Sequence, residues 1–390
     1  MSKAKKLLGN GIVEIHEEES LEKKLNSGRK LRIKHGIDPT GPKIHLGRAI
    51  QFSKLKKLQD AGHKIVLIIG DFTAQIGDAS DKIAARKSLA EAEIKKNLSN
   101  YTEQIGRIIN LDKTEIRYNS EWLSRMTAGE LLQLATSFTV HQLIHRRNFS
   151  ERWKKGDKIG LHEILYPLLQ GYDSVAVKAD VEIGGTDQLF NLLAGRIIQK
   201  KFGQQPQDVI TFEMLPGLDG RKMSTSWGNG VYILDEPDEM YGKIMSMHDD
   251  QIMTYAKLCT DLSEDELGKF KNPRDQKAYL ALEIVKLYHG ENKAKKAGIE
   301  FDRIFKSKDL PSDIDEIKID QKEIGVIDLF VNNKLVSSRS EAKRLIEQGA
   351  VKKIVNNQQS VINNIDEKIK IDDGMVFKIG KRKFVKIKTK

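Results

Sequence analysis

Hydrophobic and polar positions along the 390-residue chain change their period several times, and each change predicts an element. Leu31-Arg32-Ile33-Lys34 alternates apolar with polar, as a short strand does, and Pro39, Gly41 and Pro42 then force a turn. From Ile44 onward, Leu46, Ala49, Ile50, Phe52 and Leu55 fall on one side of a helix. Residues 65–69 form a continuous apolar run, the pattern of a parallel strand buried on both faces, and lead into a polar loop from Gly70 to Asp78. A long polar helix is expected from about Asp81 to Asn110, with strands over 115–118, 176–183 and 209–215. Residues 1–30 read as a charged helical lead-in. Strands alternating with helices over about 30–230 predict an α/β fold with a Rossmann-like parallel sheet, whose ligands bind at the carboxyl ends of the strands.

From Asp235 to about Lys308 the pattern is helical without strands, and Pro311 to Glu316 reads as an acidic linker. Ile327–Val331 and Ser338–Val351 then predict a helix pair closed by Gly349, followed by short strands with turns at Asn363-Asn364 and Asp373-Gly374. The expected organisation is therefore a Rossmann-like domain over 1–230, an α-helical domain over 231–318 and a small α+β module over 319–390.

Composition narrows the function classes. With 39% hydrophobic and 31% charged residues, the chain has the profile of a soluble globular protein. Nowhere do 18 apolar residues run together, so no membrane span is expected, and the N-terminus lacks the apolar core of a signal peptide. Cys259 is the one cysteine, which excludes a disulfide framework and fits a reducing, cytoplasmic setting. The net charge of +11 is uneven: residues 325–390 carry 15 Lys and Arg against 7 Asp and Glu. A basic terminal module points to a polyanion, nucleic acid before membrane.

The candidate chemistry starts at the loop and helix start from Lys34 to Arg48. A strand, a tight turn and a helix N-terminus aim backbone N–H groups at a phosphate. His45 falls in the expected first helical turn, within reach of a phosphate oxygen, and Gly47 leaves room for a flat purine against the backbone. Far along the chain, Leu218 to Ser226 is a glycine-bearing polar loop with the adjacent cations Arg221 and Lys222. Tyr166, Gln170 and Asp173 follow i, i+4, i+7 spacing, so they converge on one helical face. No convincing nucleophile triad or metal-ligand cluster is present.

His45-Leu-Gly-Arg48 and Lys222-Met-Ser-Thr-Ser226 resemble the two signatures of class I aminoacyl-tRNA synthetases. Tyr166 to Asp173 and Asp180 to Gln188 are similar to the amino-acid pocket of the tyrosyl-tRNA synthetases, and residues 319–390 to an S4-type RNA-binding module. The resemblance implies a tyrosine–tRNA ligase: L-tyrosine and ATP give tyrosyl-adenylate and pyrophosphate, and tyrosine then passes to tRNA-Tyr. It implies phosphate contacts from His45, Thr40, Arg48, Lys222, Lys82 and Arg86, with Arg48 and Thr225 standing where the family usually has histidine and lysine. Asp173 would take the phenol; Asp78, Tyr166, Gln170 and Gln188 would surround the ammonium, supported by Asn119. Some family members carry tyrosine where Lys34 stands. Gly36, Asp38, Gly47, Gly185, Asp187, Met223, Ser224 and Thr225 would shape the ATP site, and Arg339, Lys343 and Arg344 would face tRNA. A homodimer and ATP-bound Mg2+ without dedicated protein ligands are also implied. Two alternatives stay open: a tryptophanyl-tRNA synthetase, and a catalytically weak synthetase-like RNA-binding protein.

Overall fold

The computed structural model describes residues 2–39, 43–78, 100–223, 227–305, 314–355, 358–380 and 383–389. Thr40, Lys82, Arg86, Ser224 and Thr225 lie outside them. Two compact units form, 1–235 with 243–288 and 236–242 with 289–390. The helical stretch expected over 231–318 contributes to both.

The first unit is built on a six-stranded sheet. Its strands are β1 (Ile12–His16), β2 (Arg32–Ile37), β3 (Lys64–Ile69), β4 (Thr114–Tyr118), β5 (Val181–Gly185) and β6 (Asp208–Phe212), in the order β1-β6-β5-β2-β3-β4. β2 to β6 run parallel, while β1 adds to the β6 edge antiparallel. β5 and β6 are buried at every position, which is why their sequence is not a clean alternation. The chain leaves β2 toward β3 on one side and returns to β5 on the other, so a crevice opens at their carboxyl ends.

Three helices position the site: α1 (Leu46–Asp60), α2 (Leu161–Ala176) and α3 (Leu189–Lys201). α2 and α3 approach closely because both carry glycine at the crossing. A Cβ on Gly171 would lie 2.6 Å from Ile198 Cδ1, and one on Gly195 2.6 Å from Gln207 Nε2 and 2.8 Å from Ser174 Oγ.

Several sequence expectations need correction. The lead-in is not all helical, because Ile12–His16 forms β1; this short edge strand has no strong period of its own and is fixed by pairing with β6. The strand expected over 176–183 starts at Val181, since α2 runs to Ala176 and a turn with Lys178 at φ 50° intervenes. The mixed apolar run there suits either element. β6 ends at Phe212 rather than residue 215, and α1 starts at Leu46 with His45 as its N-cap residue. Most of the polar helix, 79–99, lies outside the described residues; its last part, 100–106, is helical, and Asn110 caps the turn Leu111–Lys113 through its side chain.

The second unit, taken by itself, joins α4 (Glu291–Phe305) to a five-stranded sheet ordered β10-β9-β12-β13-β7. Its strands are β7 (Asp315–Lys318), β9 (Val351–Val355), β10 (Gln358–Val361), β12 (Val376–Ile379) and β13 (Lys383–Lys388). β8 (Glu323–Gly325) pairs separately with β11 (Lys368–Lys370). The acidic linker reading is overturned in part: Asp315 and Glu316 belong to β7, parallel to β13, where Glu316 meets Lys386 and Lys388 at 3.2 Å. α5 (Val326–Asn332) and α6 (Arg339–Glu347) bury Leu329, Phe330, Ala342 and Ile346 against Phe377. Gly349 closes the pair at φ 61°, a value that favours glycine.

Candidate active site

Parallel strands end where the polar residues begin. Asp38 follows β2, Asp71 to Asp78 follow β3, Asn119 follows β4, Asp187 and Gln188 follow β5, and the Lys222 loop follows β6. Two clusters result at the carboxyl edge.

In the first cluster, α2 delivers Tyr166, Gln170 and Asp173. Trp122 Nε1 donates to Asp173 Oδ1 at 2.8 Å, and Asn119 Nδ2 donates to Asp173 Oδ2 at 3.4 Å. Burial pushes the Asp173 carboxyl up to about 7, opposed by the Lys34 charge and by these two donors. The Tyr166 hydroxyl donates to Asp38 Oδ2 at 2.9 Å, while Thr73 Oγ1 donates to Asp38 Oδ1 at 2.9 Å. Burial, with Asp38 and Asp78 nearby, holds the Tyr166 hydroxyl well above its ordinary range, so it stays a donor. Gln170 Oε1 is buried with no hydrogen-bond partner among the described residues.

A directed hydrogen-bond chain closes the far side. Arg146 Nη2 donates to Asn191 Oδ1 at 3.0 Å, Asn191 Nδ2 to Gln188 Oε1 at 3.0 Å, and Gln188 Nε2 to Asp78 Oδ2 at 2.7 Å. Arginine has only donors, so it sets the orientation of both amides and leaves Asp78 as the terminal acceptor. The Arg146 guanidinium lies 4.8 Å from the Phe190 ring centroid and 5.3 Å from that of Phe149. Burial lowers its pKa, with the charge on Asp78 opposing.

The second cluster joins two stretches far apart in sequence. His45 is extended and forms an antiparallel bridge with Tyr232; Leu46 N donates to Val231 O at 2.8 Å and Ile233 N to Ile44 O at 3.1 Å. The chain just beyond the Lys222 loop is thereby stitched to the start of α1. Gly230 sits between them: a Cβ there would lie 3.4 Å from Met223 Cγ and 3.6 Å from His45 Cβ. Asn229 Nδ2 donates to Lys222 O at 3.1 Å and to Asp219 Oδ1 at 2.9 Å, and Gly220 takes φ 78° in the turn. Lys222 Nζ lies 3.6 Å from Asp187 Oδ2.

The floor of this cluster is bare backbone. A Cβ on Gly185 would lie 2.6 Å from Asp187 Oδ1 and 2.7 Å from Met214 Sδ, and one on Gly47 3.2 Å from His45 Nδ1. Gly36 carries no crowding: among the described residues, its chain neighbours aside, no atom lies within 4 Å of a Cβ there. Arg48 Nη1 donates to the Tyr101 hydroxyl at 2.6 Å. Arg221 is held by Asp219 at 2.5 Å and lies over Trp227, 4.9 Å from its ring centroid. On the inner face of β2, His35 Nδ1–H donates to Ile183 O at 3.0 Å, and burial drives the imidazole down to about 4.

Of the sequence-derived site residues, the structure gathers Asp38, Asp78, Asn119, Tyr166, Gln170, Asp173 and Gln188 in one cluster. It gathers His45, Gly47, Gly185, Asp187, Lys222 and Met223 in the other. Arg339, Lys343 and Arg344 lie exposed on α6 in the second unit. Sequence reasoning missed Arg146, Asn191 and Trp122; Arg146 stands among other basic residues, and nothing in its neighbours marks it. Among the described residues no group of three or more His, Cys, Asp or Glu is placed to hold a metal ion.

Comparison with known proteins identifies the family. Residues 26–306 match the family described as tRNA synthetases class I (W and Y), and residues 306–387 match the tyrosine--tRNA ligase SYY-like C-terminal domain. A tyrosine--tRNA ligase of Thermotoga maritima is 44% identical over 391 residues, covering 98% of this chain and 96% of the relative. That of Carboxydothermus hydrogenoformans is 45% identical over 400 residues, with the same coverage of 98% and 96%. The fold resembles a solved tyrosyl-tRNA synthetase from Archaeoglobus fulgidus complexed with L-tyrosine, with a TM-score of 0.61 and 22% identity, over 76% of this chain and 98% of that one. A C-terminally truncated mitochondrial tyrosyl-tRNA synthetase of Aspergillus nidulans gives 0.62 at 20% identity, over 77% and 93%. Matched along nearly its whole length in this way, the chain belongs to the tyrosyl-tRNA synthetases, a family of class I aminoacyl-tRNA synthetases.

Proposed function

We propose that the crevice binds L-tyrosine and ATP side by side and that the two clusters divide the work of tyrosine–tRNA ligation. The tyrosine carboxylate attacks the α-phosphorus, a P–O bond forms, and the bond to the β-phosphate oxygen breaks with its electron pair leaving on pyrophosphate. A ribose hydroxyl of the 3′-terminal adenosine of tRNA-Tyr then attacks the tyrosyl carbonyl carbon and gives up its proton, and the acyl–oxygen bond to the adenylate breaks with AMP leaving with the electron pair. No activated side-chain nucleophile is needed, so catalysis rests on positioning and on charge stabilisation at the phosphates.

His45 donates to the phosphates as the α-phosphorus becomes five-coordinate, and Lys222 exchanges Asp187 for pyrophosphate. Thr40, Arg48, Lys82 and Arg86 add donors around the same phosphates. Asp187 accepts from the ribose hydroxyls, and Gly36, Gly47, Gly185, Met223, Ser224 and Thr225 line the nucleotide. Asp173 accepts the phenol O–H beside the donors Trp122 and Asn119; phenylalanine would cover the same buried carboxylate without supplying that hydrogen bond, at a cost of about 1–3 kcal/mol. Asp78 and Gln170 Oε1 accept from the ammonium, with Tyr166 and Gln188 holding Asp38 and Asp78 in place. The observation that carries the reading is the isolated bridge between His45 and Tyr232, beside the Lys222 loop. A phenol acceptor held by Trp122 and Asn119 favours tyrosine over tryptophan.

Magnesium is proposed as the companion of ATP, bound through phosphate oxygens and water. The exposed cations Arg339, Lys343 and Arg344 of α6 support tRNA binding by the second unit. A homodimer is proposed, with the largely exposed Leu132, Val140, Trp153 and Leu161 as apolar groups its contact would cover. No helix among the described residues is long and apolar enough to cross a membrane, and a cytoplasmic location is proposed.

ATP–pyrophosphate exchange with tyrosine, tryptophan and phenylalanine tests the reading. Exchange should depend on tyrosine. Dependence on tryptophan, or tyrosine binding without exchange, would overturn it in favour of one of the two alternatives.

A further inference from the structure

Beneath Asp173 lies a buried ion pair that the reaction above leaves unused. Lys34 in β2 and Glu182 in β5 are register partners in the middle of the sheet. Their side chains are 0% and 1% exposed, with Lys34 Nζ 2.8 Å from Glu182 Oε1. Lys34 Nζ also donates to Ser174 Oγ at 2.8 Å and to the Gln170 backbone carbonyl at 3.0 Å. Two ammonium protons therefore have hydrogen-bond acceptors, and Glu182 Oε1 meets the charge as an ion pair. Glu182 Oε2 accepts from Ser174 Oγ at 3.2 Å and from Gln207 Nε2, in the space that Gly195 leaves open. Lys34 thus grips the one turn of α2, from Gln170 to Ser174, that contains Asp173. Replacing a buried ion pair by apolar residues of similar volume is often neutral for stability, so packing alone does not account for the charges.

We propose that Lys34, held by Glu182, is the positioning residue for tyrosine specificity: it fixes the α2 turn bearing Gln170 and Asp173 and supplies the positive field in which the Asp173 carboxylate accepts the phenol. The proposal rests on the reading that Asp173 takes the phenol. Of the charges acting on Asp173, Lys34 is the strongest favourable one, and Glu182 acts in the opposite sense. The other groups around it are Tyr166 on α2 itself, Asp38 after β2, Thr73 and Asp78 after β3, and Asn119 and Trp122 after β4. Arg117 lies on Trp122, 5.4 Å from its ring centroid.

The test measures tyrosine-dependent ATP–pyrophosphate exchange by the full-length enzyme across about pH 5.5–9, reading the acid limb of kcat/KM for tyrosine beside KM for ATP. Lys34→Met should move that limb up by about one pH unit or more and raise KM for tyrosine about tenfold at neutral pH, with KM for ATP within about twofold. Glu182→Gln should move the limb down. A role in packing alone would weaken both substrates together and would not send the limb in opposite directions. Should Lys34→Met fail to fold, Glu182→Gln decides: a downward shift supports the proposal, and no shift or an upward one overturns it. Asp173→Asn separates the proposal from the reading beneath it. If that variant loses the acid limb and the preference for tyrosine over phenylalanine while the limb ignores Lys34 and Glu182, the proposal alone fails. If it keeps both, the phenol reading fails and the proposal falls with it.

Discussion

His45 and His35 stand ten residues apart and do opposite things with an imidazole. His45 is the N-cap residue of α1 beside the Lys222 loop, its side chain making no capping hydrogen bond, and the proposed role gives it charge that develops only in the transition state. His45→Ala should therefore lower the adenylation kcat by about 10²–10³ while tyrosine affinity changes by less than about threefold, read by pre-steady-state adenylate formation. His35 is buried, neutral and tied to Ile183 O, with its pKa depressed to about 4. The folded state then binds fewer protons than the unfolded state between about pH 6.5 and 4, so stability is intact above that window and is lost as pH falls through it. Urea unfolding should show that His35→Gln, which keeps a donor to Ile183, loses about 2 kcal/mol less than the parent between neutral pH and about pH 4.5. Sequence alone marked His45 through the turn and glycine around it. It could not mark His35, whose isolation from water is a property of the sheet.

Elements with a strong period of their own were the legible ones. α1 and α2 declared themselves through helical spacing, and β3 through an unbroken apolar run. β1 did not, because a short edge strand is held by its partner more than by its own pattern. The boundary between α2 and β5 was unreadable for a related reason: Val175, Ala176, Val177 and Ala179 suit either element. The closeness of α2 to α3 was also hidden, since Gly171 and Gly195 look like ordinary weak helix formers. Gly195→Val should destabilise the first unit by about 2 kcal/mol or more, because its side chain would drive Gln207 and Ser174 from the Lys34–Glu182 pair. Urea unfolding of the variant checks this, and unchanged stability would mean that the polar cluster can give way.

Across the whole molecule, charge and shape divide the labour between the two units. The first holds both polar clusters of the crevice, and the second carries α6 with three exposed cations. Replacing Arg339, Lys343 and Arg344 together by glutamate should leave pyrophosphate exchange within about twofold of the parent while weakening tRNA binding about tenfold or more. The slope of binding against salt should fall as well, measured by filter binding across an ionic-strength series. Equal tRNA affinity would place the tRNA contact elsewhere.

The sequence by itself determined the α/β class, the spacing that lines up Tyr166, Gln170 and Asp173, and the two signature stretches, because these depend on local period and residue type. Tertiary structure alone decided three things. His45 meets the Lys222 loop through the Tyr232 bridge. Arg146 directs a chain of amides onto Asp78. Lys34 faces Glu182 across the sheet and under Asp173. Each joins residues on separate segments, and which strands become neighbours is settled by the packing of the whole sheet and its helices.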